Sequence, residues 1–125
     1  PLVEPLGVSR AVLIQTDVYG ADLSYAMDVV ASDDRFRAIG MIDPASPPTR
    51  TDIASHRSGG VVGYRLFMRD EHELRQNRCD AVERFFDACE HFDAIIAPLS
   101  SPVGFKIIDG LFWLRPVLRV VIDHM

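Results

Sequence analysis

Apolar residues fall along this chain in short bursts, and the stretches between them carry a helical period. Residues 10–15 form a brief run rich in Val, Leu and Ile, the pattern of a strand covered on both faces. Beyond it, Asp22 or Ser24 can cap a helix that sets Tyr25, Ala26, Val29 and Val30 on one side. A second run over 38–42 predicts a strand that closes at Asp43-Pro44. Pro47 and Pro48 make 45–50 a loop; Thr51 or Asp52 opens a short helix through about Arg57, which Gly59-Gly60 stops.

Residues 61–66 predict a third strand, and the charged segment 68–77, lacking an apolar stripe, a surface loop or frayed turn. A long amphipathic helix comes next, with Val82, Phe85, Phe86 and Cys89 on its buried side. The fourth strand spans 94–97 and is ended by Pro98. Ser100, Ser101 and Pro102 are helix-start residues. Phe105, Ile108, Leu111, Phe112 and Leu114 give the last helix its apolar side, and 119–122 form a fifth strand ahead of Asp123, His124 and Met125. Five buried strands separated by four crossovers predict an α/β fold: one domain over 1–125, with a parallel sheet and helices outside it.

Composition narrows the function. A formal charge of -5 argues against a general nucleic-acid binder, which needs a basic field. No apolar run approaches the roughly eighteen residues of a membrane span. Cys79 and Cys89 fall in one expected helix, about 15 Å apart at helical rise, too far to bridge. Free thiols point to a reducing, cytoplasmic compartment. Every basic residue except Lys106 is Arg, which a GC-rich coding bias explains more simply than function. The chain opens at Pro1 without Met, so its start is read as processed, cloned or truncated.

No Gly-rich phosphate fingerprint stands after any strand, which weakens a nucleotide-binding reading. Ser100-Ser101 lack the Gly-x-Ser-x-Gly setting of a nucleophile, and His91 with Asp93 lacks a third metal ligand. His56, His72 and His91 read as surface residues. The strand ends themselves are polar: Gln15, Thr16 and Asp17 after the first, Asp43 after the second, Arg65 near the end of the third, Asp123-His124 after the fifth. Parallel β/α folds place their chemistry at those strand ends.

Together these segments resemble the amidohydrolase-related (amidohydrolase 2) metal-dependent hydrolases, whose members include 2-pyrone-4,6-dicarboxylate lactonases. The resemblance rests on residues 7–20, 36–44, 60–66 and 118–125, in the family's order and roughly its spacing. It implies a partial TIM (βα)8 barrel of about five strands and four helices, from the second strand through the fifth or sixth. It also implies site roles. His124, beside Asp123, would contact a divalent metal (Zn or Mn) or substrate. Arg65 would clamp a substrate carboxylate, a task suited to a guanidinium fork. Gln15, Asp17 and Tyr19 would line the substrate loop, with Thr16-Asp17 in place of the family's Pro-Ser.

The sequence also departs from that pattern. None of the four histidines forms the family's His-x-His pair, and this chain is expected to lack the later strand that bears the family's catalytic Asp. The expected function is hydrolysis of a lactone or carboxylated cyclic substrate, with an incomplete site in this chain. The alternative is a noncatalytic remnant or truncated fragment serving as a binding or structural module. Five parallel strands leave two open edges and an apolar inner face; either the chain is a fragment of a longer enzyme or, as is expected here, it self-associates as a homodimer or higher oligomer.

Overall fold

The computed structural model describes residues 7–68 and 80–122. Five strands, β1 (Ala11–Ile14), β2 (Phe36–Met41), β3 (Val61–Met68), β4 (Ile95–Ser100) and β5 (Arg119–Val120), alternate with four helices. The helices are α1 (Ser24–Ser32), α2 (Arg50–Ser58), α3 (Asp80–His91) and α4 (Pro102–Phe112). Every neighbouring strand pair is parallel and the spatial order is the chain order, β1 to β5. Right-handed crossovers that always step one strand in the same direction collect the helices on one face. This is the winding of a (βα)8 barrel, and the expected partial barrel is present.

The core lies between that face and the helices. Ala38, Ile42, Tyr64, Leu66, Ile96 and Leu118 of the sheet side meet Leu23, Val30, Ile53, Val82, Phe85 and Phe86. Ring contacts run across the layer: Tyr64 meets Phe85 edge-on at 5.4 Å, and Phe86 meets Phe112 edge-on at 6.0 Å. Full burial of one such side chain stabilises by about 1.5–3 kcal/mol. Arg115, itself buried, closes the far end of the layer. It pairs with Glu83 and Asp87 of α3, the latter at 2.9 Å, and its guanidinium lies over the Phe86 ring.

Local chemistry sets the element ends. Helix α2 starts at Arg50, one or two residues earlier than its Thr51 or Asp52 expectation. Thr49 is the cap, because its hydroxyl accepts from the Asp52 amide while the Asp52 carboxylate accepts from the Thr49 amide at 2.9 Å. At the other end Gly60 takes φ +88°, and a Cβ there would stand 2.2 Å from Val30 Cγ1. Helix α1 takes its first-turn bond from Asp22, whose carboxylate accepts from the Ser24 amide; that hydrogen bond holds the Asp22 carboxyl below the usual range. Helix α4 has the expected start, with Ser101 accepting from the Gly104 amide and Pro102 at its first turn.

Several expectations need correction: the fifth strand, expected over 119–122, is Arg119–Val120, and Tyr25, expected on the apolar side of α1, is exposed. Strand β3 runs two residues past Leu66, because Phe67 and Met68 pair with Leu99 and Ser100; the remainder of the expected 68–77 loop lies outside the described residues. Pro98 does not end β4. It pairs opposite Leu66 inside the strand. The last bond from β5 is Val121 N–H to Ile96 C=O. Backbone groups two residues apart point the same way, so the N–H that Pro98 lacks falls where no strand is bonded. Leu114 lies beyond the end of α4 and is exposed, so it adds nothing to that helix's apolar side.

His56 is a further correction. It is half-buried, and Nδ1 sits 3.0 Å from the Tyr64 hydroxyl, where β3 underlies α2. Burial lowers its pKa, opposed by the Asp52 charge, and burial likewise pushes Tyr64 and the Cys89 thiol up. A histidine whose folded pKa is depressed binds its proton better when unfolded. Its contribution is therefore complete above the unfolded value near 6.5 and is lost as pH falls below it. Urea midpoints are expected to fall between pH 7.5 and pH 5.5, and His56→Gln is expected to flatten that slope.

Candidate functional site

Alternation along each strand decides which residues face away from the helices. Tyr64 and Leu66 point into the helix-side core, so Gly63, Arg65 and Phe67 face the opposite, concave surface. On β2 the concave residues are Ile39 and Met41, and on β4 they are Ile95, Ala97 and Leu99. Gly63 is required there for space: a Cβ would meet the Ile95 carbonyl oxygen at 2.4 Å.

Arg65 is the charged residue at the centre of this surface. It lies level with Met41 on one side and Ala97 on the other, both buried, and is itself 8% exposed. Its Nε is buried, and the residue has interactions beyond its strand neighbours. A guanidinium between apolar neighbours sits in a medium where charge pairing with a carboxylate is stronger than in water. Met41 and Ala97, which make those walls, were missed by sequence reasoning. Only strand register reveals them.

Gln15 stands at the end of β1 and is also buried, but its amide is already used. Nε2 donates to the carbonyls of Gly20 and Asp22 at 2.9 and 2.8 Å, and Oε1 accepts from the Met41 amide at 3.4 Å. The side chain thus pins the β1–α1 loop to β2, beside the residue level with Arg65. Asp17 and Tyr19 lie in a single 3-10 turn, residues Asp17–Tyr19, and both are exposed. Tyr19 turns outward to stack on Tyr25, with ring centroids 5.4 Å apart and planes 5° from parallel. These two rings help line a hollow of about 150 Å³ on the open β1 edge, away from Arg65's row. Asp43 is exposed and its carboxylate accepts from the Ala45 amide, closing the turn after β2.

Asp123 and His124 lie outside the described residues, as do His72 and Cys79. His91 is on the surface as expected, 2.7 Å from Arg50. Among the described residues no three His, Cys, Asp or Glu side chains gather to hold a metal ion. His56 is on the helix side, spent on Tyr64. The described residues by themselves therefore form no metal site. Among them, too, no helix is long and apolar enough to cross a membrane.

Comparisons with known proteins agree with this geometry. The sequence model described as amidohydrolase matches residues 1–125. A 4-sulfomuconolactone hydrolase from Rhizobium radiobacter is 32% identical over 125 residues, covering 98% of this chain and 40% of that protein. A crystal structure from Acinetobacter baumannii, assigned as a 2-pyrone-4,6-dicarboxylic acid hydrolase and holding citric acid, superposes with a TM-score of 0.77. It is 19% identical, and the match covers 98% of this chain and 45% of that one. A structure from Pseudomonas putida with the same assignment gives a TM-score of 0.70 at 22% identity, over 99% of this chain and 46% of that one. The chain thus spans less than half the length of each of these relatives.

Gln15 provides a direct check on the loop. Gln15→Leu keeps the volume but leaves two carbonyls without their donor, and is expected to destabilise by about 1–3 kcal/mol in urea unfolding. Hydrogen exchange should rise first at the amides of 16–22.

Proposed function

The chain belongs to the amidohydrolase family, and from that premise we propose that it carries the anion-binding wall of a lactone hydrolase site. The carrying observation is Arg65, buried at mid-surface on the concave face between Met41 and Ala97. In this reading its guanidinium binds an acidic substituent of the substrate and so fixes the lactone ring over the strand ends. The names of the relatives support it: one acts on a sulfo-substituted lactone, and the structural neighbours are assigned to a dicarboxylic acid, one of them with citric acid bound. All are anions suited to a guanidinium fork.

Hydrolysis of a lactone adds water to the ring carbonyl and breaks the ring carbon–oxygen bond, giving a hydroxy acid. We assign the carbonyl-facing role to His124 beside Asp123, the polar residues that end the fifth strand run. Gln15 acts on substrate only indirectly, by holding the β1–α1 loop.

The test compares charged and uncharged lactones. Arg65→Ala is expected to weaken binding of 2-pyrone-4,6-dicarboxylate at least about tenfold, the loss of a charge-assisted pair, while an uncharged lactone of the same ring changes little. An equal loss for both would remove Arg65 from substrate recognition.

Apolar side chains are also exposed on the concave face or at its edges: Val12 and Ile14 of β1 and Val121 beyond β5 are roughly half exposed. We propose that a second copy of this chain packs along the β1 edge at Val12 and Ile14, leaving the centre of the face at Arg65 and the floor at Arg37, Arg57 and Arg119 open, as a symmetric pair buries one apolar patch against itself. Light scattering at micromolar concentration is expected to give twice the 14.0 kDa chain mass, and Val12→Glu to give the single mass. A monodisperse 14.0 kDa species for the unaltered chain would overturn it.

A further inference from the structure

Positive charge gathers at the end of the concave face where the strands begin, opposite the rim that the proposed site uses. We propose that this floor binds a small multivalent oxyanion of the phosphate class. The binding group is a hollow of about 370 Å³, walled by Arg37, Arg57 and Arg119 with Asp93, over the apolar side chains of Val62 and Ile95. Its size falls within the ordinary range for small-molecule sites, about 300–1,000 Å³. A second hollow of about 520 Å³ adjoins it, sharing Arg37 and adding Arg10 and Arg35, with Asp34.

Strand register explains why these side chains converge. Ala38 points into the helix-side core, so Arg37 points to the concave face, level with Val12. Arg119 is level with Ile95 on the same face. Arg57 arrives from the last turn of α2.

The way they are held leaves charge over. Arg37 Nη1 donates to the Asp34 and Phe36 carbonyls at 2.9 and 2.6 Å, and Arg57 Nη1 donates to the Phe92 carbonyl. Carbonyl anchors fix a guanidinium without neutralising it, and the remaining N–H groups stay available. Of the three, Arg119 pairs with a carboxylate among the described residues, Asp93 at 2.9 Å. Three guanidiniums against one carboxylate make the hollow positive in a chain whose formal charge is -5. Arginine forks match phosphate oxygens in pairs. This proposal is independent of the role assigned to Arg65.

Inorganic pyrophosphate is the probe, titrated calorimetrically at low ionic strength, with potassium chloride of matched ionic strength as the reference. The unaltered chain is expected to bind it saturably, one per chain, and more weakly as salt rises. Arg37→Gln is expected to weaken binding about tenfold. Asp93→Asn is expected to tighten it severalfold by freeing Arg119, and asparagine suits the φ of 53° at that position. Arg84→Gln, a change on α3 away from this hollow, serves as the control for net charge. Absence of saturable binding would overturn the proposal, as would equal effects of Arg37→Gln and Arg84→Gln. The guanidiniums could also serve only to neutralise helix C-termini. In that case Arg37→Gln would lower Tm and leave the pyrophosphate isotherm unchanged, which overturns the proposal equally.

Discussion

One constraint organises the molecule: each β/α unit adds its strand on the same side of the one before. Right-handed crossovers repeated in one direction can only stack helices on a single face. The sheet is therefore asymmetric. One face holds Tyr64, Phe85, Phe86 and Ile96 in a closed apolar layer, and the other receives alternate residues that need not pack against any helix. Charged side chains can stand on that second face at little expense to the core. Arg65 occupies its middle, while Arg37 and Arg119 occupy its floor. Candidate chemistry at both levels comes from the same winding.

The strands were legible in the sequence because each is a short apolar run between breakers. The wrong details share a cause: local rules were applied where a tertiary neighbour decides. Thr49 caps α2 because the Asp52 carboxylate reaches back to it, a reciprocal pair that reading Asp52 as a helix start hides. Pro98 looked like a terminator, yet a proline is tolerated wherever its nitrogen faces no partner, and sequence does not say which edge is bare. His56 looked exposed among polar neighbours. It turns inward because Tyr64, a large residue buried beneath α2, carries a hydroxyl that needs a partner there.

The site was legible in part and for a different reason. Arg65 comes after Gly63 and Tyr64 in a pattern that resembles the family's, and the structure buries it on the concave face. Gln15 also drew notice as a polar residue after a strand. Its three hydrogen bonds are all internal, and such loops close on themselves in ways composition does not reveal. Tyr19 sits near Gln15 in sequence, but one turn of 3-10 helix rotates it outward onto Tyr25. Residues Arg37 and Arg119 carried no signal at all in a chain whose basic residues are almost entirely arginine.

Pro98 has a consequence for how the sheet can grow. An exposed strand flank is normally a template onto which any extended segment can zip, a common first step in aggregation. Beyond Ile96, the flank of β4 that faces away from β3 lacks a donor at its next pairing position, because the proline ring occupies it. An intruding strand that tried to continue the ladder there would leave one of its carbonyls unanswered. The ring, itself fully buried, thus ends the donor row of that flank above Ile96. The ladder to β5 therefore stays confined to the base of β4.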